Sequence, residues 1–174
     1  MLVMRPATSA DRPAVHGMIS ARCDWLEGRG VPSWRASLDD LVSQCDNPGG
    51  DVWVLELDGS QVVGRTTVQA QGPPWGWTEQ ERAQPALYLT TSVTDPAFRD
   101  LRPGTLMAWW AVDRAASVGA GWVRRDCLVP ELAKYYLTQG YELVRESEYG
   151  RHRLFMMARA AEWLDLTDAF TGRR

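Results

Sequence analysis

The sequence predicts a mixed α/β fold in which one sheet carries helices on both faces. Three observations point there. Two β-rich runs flank Asp58-Gly59, a helical stripe runs from Met107 to Val118, and the elements follow one another as β, α, α, β, β, β, α, β, α, β, β. At 174 residues, with 45% hydrophobic and 24% charged positions, the chain suits one core rather than two.

Each element has a local reason. Leu2 to Met4 reads as a first strand. Thr8, Ser9 and Asp11 can cap a helix whose stripe is Val15, Met18 and Ile19, and Gly28 to Pro32 interrupts it. Ser37 to Asp40 can start a second helix that ends by Asn47-Pro48-Gly49-Gly50. Val52 to Leu57 and Val62 to Val68 form a hairpin across Asp58-Gly59, a dipeptide that accepts the positive φ of a tight turn. Gln71 to Gln84, rich in Gly, Pro and Trp, is expected to be a loop at the edge of a site. Leu87 to Thr94 is a strand. After Asp95-Pro96 an irregular turn leads to the helix of Met107, Trp110, Ala111, Ala115 and Val118, closed by Gly119 and Gly121. Trp122 to Asp126 is a strand, Pro130 to Leu137 a helix ended by Gly140, and Tyr141 to Val144 pairs with Arg153 to Met157. Residues 1–159 are expected to form a single domain. Residues 160–174 are a C-terminal extension, with a helix expected over Ala160 to Phe170.

Composition excludes some functions. A net charge of -3, from 22 acidic and 19 basic residues, offers no positive excess for nucleic acid or an anionic membrane surface. The longest apolar run, Leu106 to Val112, is too short to cross a bilayer, and Met1 to Met4 is too short for a signal segment. Cys23, Cys45 and Cys127 stand apart with no metal-ligand spacing, so reduced thiols and a cytoplasmic location are expected. His16 and His152 lack ligand-like partners, so no metal is expected.

Four stretches carry chemistry. Ala86-Leu87-Tyr88-Leu89 runs into Thr90-Thr91-Ser92-Val93-Thr94. Then come Ala97-Phe98-Arg99-Asp100-Leu101-Arg102-Pro103-Gly104 and Trp110 to Ala115. Trp122 to Cys127 is followed by Tyr135-Tyr136 and Gly140-Tyr141, and Trp25 to Val31 with Trp34 forms an N-terminal echo. In order and spacing, over about residues 3 to 158, this resembles the GNAT N-acetyltransferase superfamily, which implies a mixed, mostly antiparallel sheet. The family turn has the form Arg/Gln-x-x-Gly-x-Gly/Ala, and its amides and the following helix N-terminus surround a pyrophosphate. Arg99 and Gly104 fit it. Arg102 stands where the middle glycine is expected, Asp100 adds a negative charge, and Pro103 has no N–H, which makes the turn a degenerate version. The asparagine usual before the tyrosine pair is missing, and Thr90-Thr91-Ser92 replaces a common His-Arg-Leu.

The resemblance implies acetyl-CoA as co-substrate and a small-molecule amine as acceptor, joined by direct attack in a ternary complex. It places cofactor contacts at Ser92, Val93, Thr94, Arg99, Asp100, Leu101, Arg102, Gly104 and Thr105. Tyr136 becomes the acid that protonates the departing thiolate. Trp25, Trp34, Trp75 and Trp77 are expected to line the acceptor pocket, with Glu56 and Tyr88 as relays for the amine proton. For each of these, ordinary core or surface placement is the competing reading. Two other functions remain open: a CoA-independent reaction on a specialised metabolite, motivated by the altered turn, and a non-catalytic binding or dimerisation module, motivated by nine tryptophans and the C-terminal extension. A homodimer is compatible with either.

Overall fold

A computed structural model describes residues 1–47 and 50–171. Its strands are β1 (Leu2–Pro6), β2 (Val52–Leu57), β3 (Gln61–Gln69), β4 (Ala86–Thr94), β5 (Trp122–Cys127), β6 (Glu142–Tyr149) and β7 (His152–Ala160). The helices are α1 (Arg12–Glu27), α2 (Leu38–Ser43), α3 (Glu79–Arg82), α4 (Pro103–Ser117), α5 (Pro130–Leu137) and α6 (Thr167–Thr171). The seven strands are ordered β1-β2-β3-β4-β5-β7-β6. The mixed sheet expected from the sequence is therefore present. The chain divides into two compact units. The first holds Met1–Thr67, Thr91–Met107 and Leu166 onward, and the second Val68–Thr90 and Ala108–Asp165.

In the first unit, β1 and β2 pair antiparallel from Leu2↔Leu57 to Pro6↔Trp53, and β2 pairs antiparallel with β3. The hairpin turn works as expected: Asp58 and Gly59 adopt φ of 51° and 75°, and the Ser60 N–H reaches the Leu57 carbonyl at 3.3 Å. Alternation along β2 gives each face its own core. Val52 and Val54 take Val15, Ile19 and Cys23 of α1 and Leu41 and Val42 of α2. Leu55 and Val63 meet Leu106 and Met107 of α4. Gly64 permits that second contact, because a Cβ there would lie 3.0 Å from the Met107 Sδ.

In the second unit, β4 and β5 run parallel over Ala86↔Trp122, Leu87↔Val123 and Tyr88↔Arg124, whereas β7 pairs antiparallel with both β5 and β6. Alternation again sorts the side chains. Leu89, Val123, Cys127, Phe155 and Met157 pack on α4 and α5, together with Tyr136 and Tyr141. Tyr88, Leu154, Met156 and Ala158 form the other cluster, with Trp77.

Three expectations change. The segment Gln71 to Gln84 is not wholly a loop: α3 occupies Glu79–Arg82, where Thr78 and Glu81 form a reciprocal capping box. The last two strands are much longer than Tyr141 to Val144 and Arg153 to Met157. The C-terminal helix over Ala160 to Phe170 is replaced by the end of β7, a non-helical stretch that includes an exposed Trp163, and the short α6. Asp113 accounts for part of this, because its carboxylate accepts the Leu164 N–H at 3.0 Å and holds the segment extended. Pro48 and Gly49, within the expected end of the second helix, and residues 172–174 of the expected extension lie outside the described residues.

Candidate functional site

The first unit carries the turn before α4. Asp95 starts it, with its carboxylate accepting the Ala97 N–H at 2.9 Å and its carbonyl the Phe98 N–H at 3.2 Å. A 3-10 segment over Pro96–Leu101 ends at Arg102, whose φ of 53° and ψ of 49° are left-handed, and α4 follows at once with Pro103 in its first turn. Arg102 thus takes the backbone conformation for which glycine is best suited, at a cost of about 1–2 kcal/mol. Its side chain is exposed.

The amides of this turn are largely used internally. The Arg102 N–H bonds the Arg99 carbonyl at 2.9 Å, and the Thr105 and Leu106 N–H groups share the Arg102 carbonyl at 2.9 and 3.2 Å. Positive charge is on offer instead. Arg99 and Asp100 lie 3.8 Å apart with side chains 71% and 96% exposed, a contact too solvated to neutralise the guanidinium. Leu101 is exposed and Gly104 half-buried. On β4, the Ser92 hydroxyl meets that of Thr66 at 2.8 Å, Thr94 is half-buried, and Val93 is buried in the α1–α2 core. Val93 and the buried Thr105 therefore present main chain rather than side chain. Thr91, a β-branched residue, holds φ 47° within this strand.

The second unit holds Tyr136. Its ring is buried in the α4–α5 core, and its hydroxyl accepts a hydrogen bond from the Arg125 guanidinium at 2.9 Å, with the guanidinium carbon 3.6 Å from the ring centroid. Burial raises the phenol pKa, while Arg125 opposes the rise. A phenol shifted this way stays protonated at neutral pH but is a weaker acid than an ordinary tyrosine, and the Arg125 cation offsets part of that loss. Cys127 is buried, and desolvation lifts its pKa to about 11, so it is a core thiol rather than a ready nucleophile.

On the opposite face of this unit, Tyr88 donates to the Asp126 carboxylate at 2.5 Å and accepts from the Trp77 indole N–H at 3.0 Å. Desolvation, then Asp126, holds the Tyr88 phenol far above its ordinary pKa. Beside it lies Arg124, 5% exposed, bonded to the Glu81 carbonyl and the Gln84 side chain. The sequence reading missed Arg124 and Arg125. The alternation of β5 sends one to each face, and both faces turn out to be covered.

The remaining candidates are dispersed. Glu56 accepts from Arg5 at 2.5 and 2.9 Å, and Arg5 also grips Asp11. Trp25 lies beneath Arg29 and Arg22, at 3.7 and 4.5 Å, and Trp34 is partly exposed ahead of α2. Trp75 stacks on Tyr149 with centroids 4.3 Å apart, and Trp77 is buried against Tyr88. Among the described residues no group of three or more His, Cys, Asp and Glu could hold a metal, and no helix is long and apolar enough to cross a membrane.

No protein-family model and no curated protein sequence matches the chain. Solved structures do match. A GNAT-family acetyltransferase from Listeria monocytogenes superposes with a TM-score of 0.72 at 16% identity, over 91% of this chain and 94% of that one. The Salmonella typhimurium protein yncA, a putative acetyltransferase solved with acetyl-CoA, gives 0.58 at 17%, over 92% and 94%. The polyamine N-acetyltransferase of Drosophila melanogaster, which forms N-acetylagmatine, gives 0.62 at 13%, over 92% and 100%. The fold of this chain is that of the GNAT-type N-acetyltransferases.

Proposed function

We propose that this protein transfers an acetyl group from acetyl-CoA to a small-molecule amine by direct attack within a ternary complex. The observation that carries the reading is the left-handed Arg102 joining a 3-10 turn to the N-terminus of α4, in a chain whose structural neighbours include one solved with acetyl-CoA. The residues present fit a diphosphate in a modified way. With the Phe98, Arg102 and Thr105 amides bonded internally, the exposed guanidinium groups of Arg99 and Arg102 and the positive end of α4 supply the attraction. Ser92, Val93, Thr94, Asp100, Leu101, Gly104 and Thr105 would complete the cofactor contacts.

In the reaction, the amine nitrogen bonds the thioester carbonyl carbon, the carbon–sulfur bond breaks, and Tyr136 protonates the sulfur. Holding the two reactants together supplies the larger share, roughly 7–11 kcal/mol. The acceptor is an amine of the agmatine or polyamine size class, which the Drosophila neighbour acetylates. Trp25, Trp34, Trp75 and Trp77 are its proposed contacts, with Glu56 and Tyr88 proposed to take part in removing the amine proton.

Calorimetry with CoA and acetyl-CoA, followed by thiol release in the presence of agmatine or spermidine, tests this. Saturable heat, lost when Arg99 and Arg102 are both changed to Gln, is the expected result. Absence of heat at millimolar CoA overturns the assignment.

A further inference from the structure

Within the second unit, the segment between β3 and β4 folds over the start of β4 and β5 and walls a partly open cavity of about 360 Å³. Gln71, Trp77, Arg82, Gln84, Tyr88 and Arg124 line it, with small apolar groups between them. The segment is firmly seated. Gly72 lies so close to Tyr88 that a Cβ would fall 2.4 Å from a ring carbon, and Arg145 ties the Gly76 carbonyl and the Glu81 carboxylate to β6. This pocket is preformed, and it is at the lower end of the size range for small-molecule sites.

Its charge is unbalanced. Arg124 is 5% exposed, its Nε has no hydrogen-bond partner, and among the described residues no carboxylate lies within ion-pair distance of it. The two nearby carboxylates serve other donors: Glu81 takes both Arg145 Nη atoms at 2.6 and 2.7 Å, and Asp126 takes the Tyr88 hydroxyl at 2.5 Å. Arg82 adds a second guanidinium at the exposed rim, and among the described residues no side-chain hydrogen bond or ion pair engages it. A buried guanidinium with no directly bonded counter-charge is expensive, and a planar anion bonded to it offsets part of that cost. The Trp77 ring beside it favours a flat apolar body on the same molecule.

We infer that this cavity is a binding site for a small organic carboxylate with a flat apolar body, held by Arg124 and Arg82. The cavity shares Trp77 and Tyr88 with the proposed acceptor contacts but needs no CoA, so carboxylate binding measured without CoA and acetyl transfer measured by thiol release fail distinguishably.

The Trp77 indole N–H, which bonds Tyr88 in the cavity wall, supplies the reporter. Its nitrogen–proton resonance is identified by its loss in Trp77→Phe and then followed in the full chain as benzoate, benzamide or inorganic phosphate is added. Benzoate should shift it saturably, and benzamide should bind at least about tenfold more weakly, since a charged hydrogen bond is lost. Arg82→Gln, at an exposed position, should weaken benzoate about three- to tenfold without altering the melting temperature. Arg124→Gln should abolish binding, and if that chain fails to fold, Arg82→Gln decides. Equal affinity for benzoate and benzamide, undiminished benzoate binding in Arg82→Gln, an equal response to phosphate, or no shift by about 20 mM ligand would each overturn the inference.

Discussion

Replacing Arg102 by glycine should stabilise the protein. The residue sits at φ 53°, ψ 49°, where an L side chain costs about 1–2 kcal/mol, while glycine adds about 0.5–1 kcal/mol of unfolded-chain entropy. The exposed side chain has no packing to lose, so the balance is a gain of about 0.5–1 kcal/mol. For a chain of this length that corresponds to roughly 1–4 °C in melting temperature. Arg102→Ala is the informative control. It removes the guanidinium and keeps the Cβ, so it should melt with the parent. Thermal and urea unfolding, followed by circular dichroism on all three chains, measure both differences. Equal stability of the Gly and Ala variants, or a Gly variant below the parent, would falsify the claim that the backbone at this turn is strained. The two variants also separate function: both should weaken CoA, because the charge is lost in each, and Gly should recover part of the affinity by admitting a closer backbone approach.

Other expectations follow from the same geometry. Tyr136→Phe should lower turnover more than CoA affinity, and should cost about 1 kcal/mol of stability by removing one buried acceptor of the Arg125 guanidinium, measured by steady-state kinetics and urea unfolding. Gly72→Ala should destabilise by about 1–3 kcal/mol, since the new methyl meets the Tyr88 ring at 2.4 Å, and unfolding midpoints check it. The Arg145 fork holds Glu81 well below its ordinary value of 4.5, at about 2, so its contribution is present above pH 4.5 and fades as pH falls toward 2. Arg145→Gln should flatten stability across that window, and unchanged pH dependence would contradict the pairing. Because Cys23, Cys45 and Cys127 are buried, a thiol reagent should leave the native protein unlabelled and react only after unfolding, which also keeps the CoA-release assay free of background.

Sequence patterns captured the elements that own an apolar stripe. α1, α5 and the β2–β3 hairpin lie where period and turn chemistry put them. β6 was legible only at its start because its residues are mostly exposed; its later half forms by pairing with β7, helped by the ion pair of Arg153 with Glu146. The short α3 had a readable signal, Thr78 with Glu81 three residues on, but no stripe to draw attention to it. For the site, the Arg-x-x-x-x-Gly spacing located the turn before α4, but the internal use of its amides depends on the left-handed Arg102 and cannot be read from spacing. The cavity beside Arg124 was invisible for a different reason. Trp-Val-Arg-Arg-Asp tells that neighbouring arginines face opposite ways, and nothing local tells that loop and helix close over both.

Arg65 extends the theme of buried cations to the first unit: it is fully enclosed, bonded through Nη2 to the Thr67 hydroxyl at 2.5 Å, and desolvation pulls its pKa to about 10. An ammonium, whose ordinary pKa is about 10.4, would be brought to about 8 by the same displacement, so it would begin to lose its proton just above neutrality. The chain's single lysine, Lys134, can become arginine with little effect on its charge, but the reverse exchange at 65 would trade a permanent cation for one that titrates. At that position solvation favours arginine over lysine, whatever base composition the genome prefers.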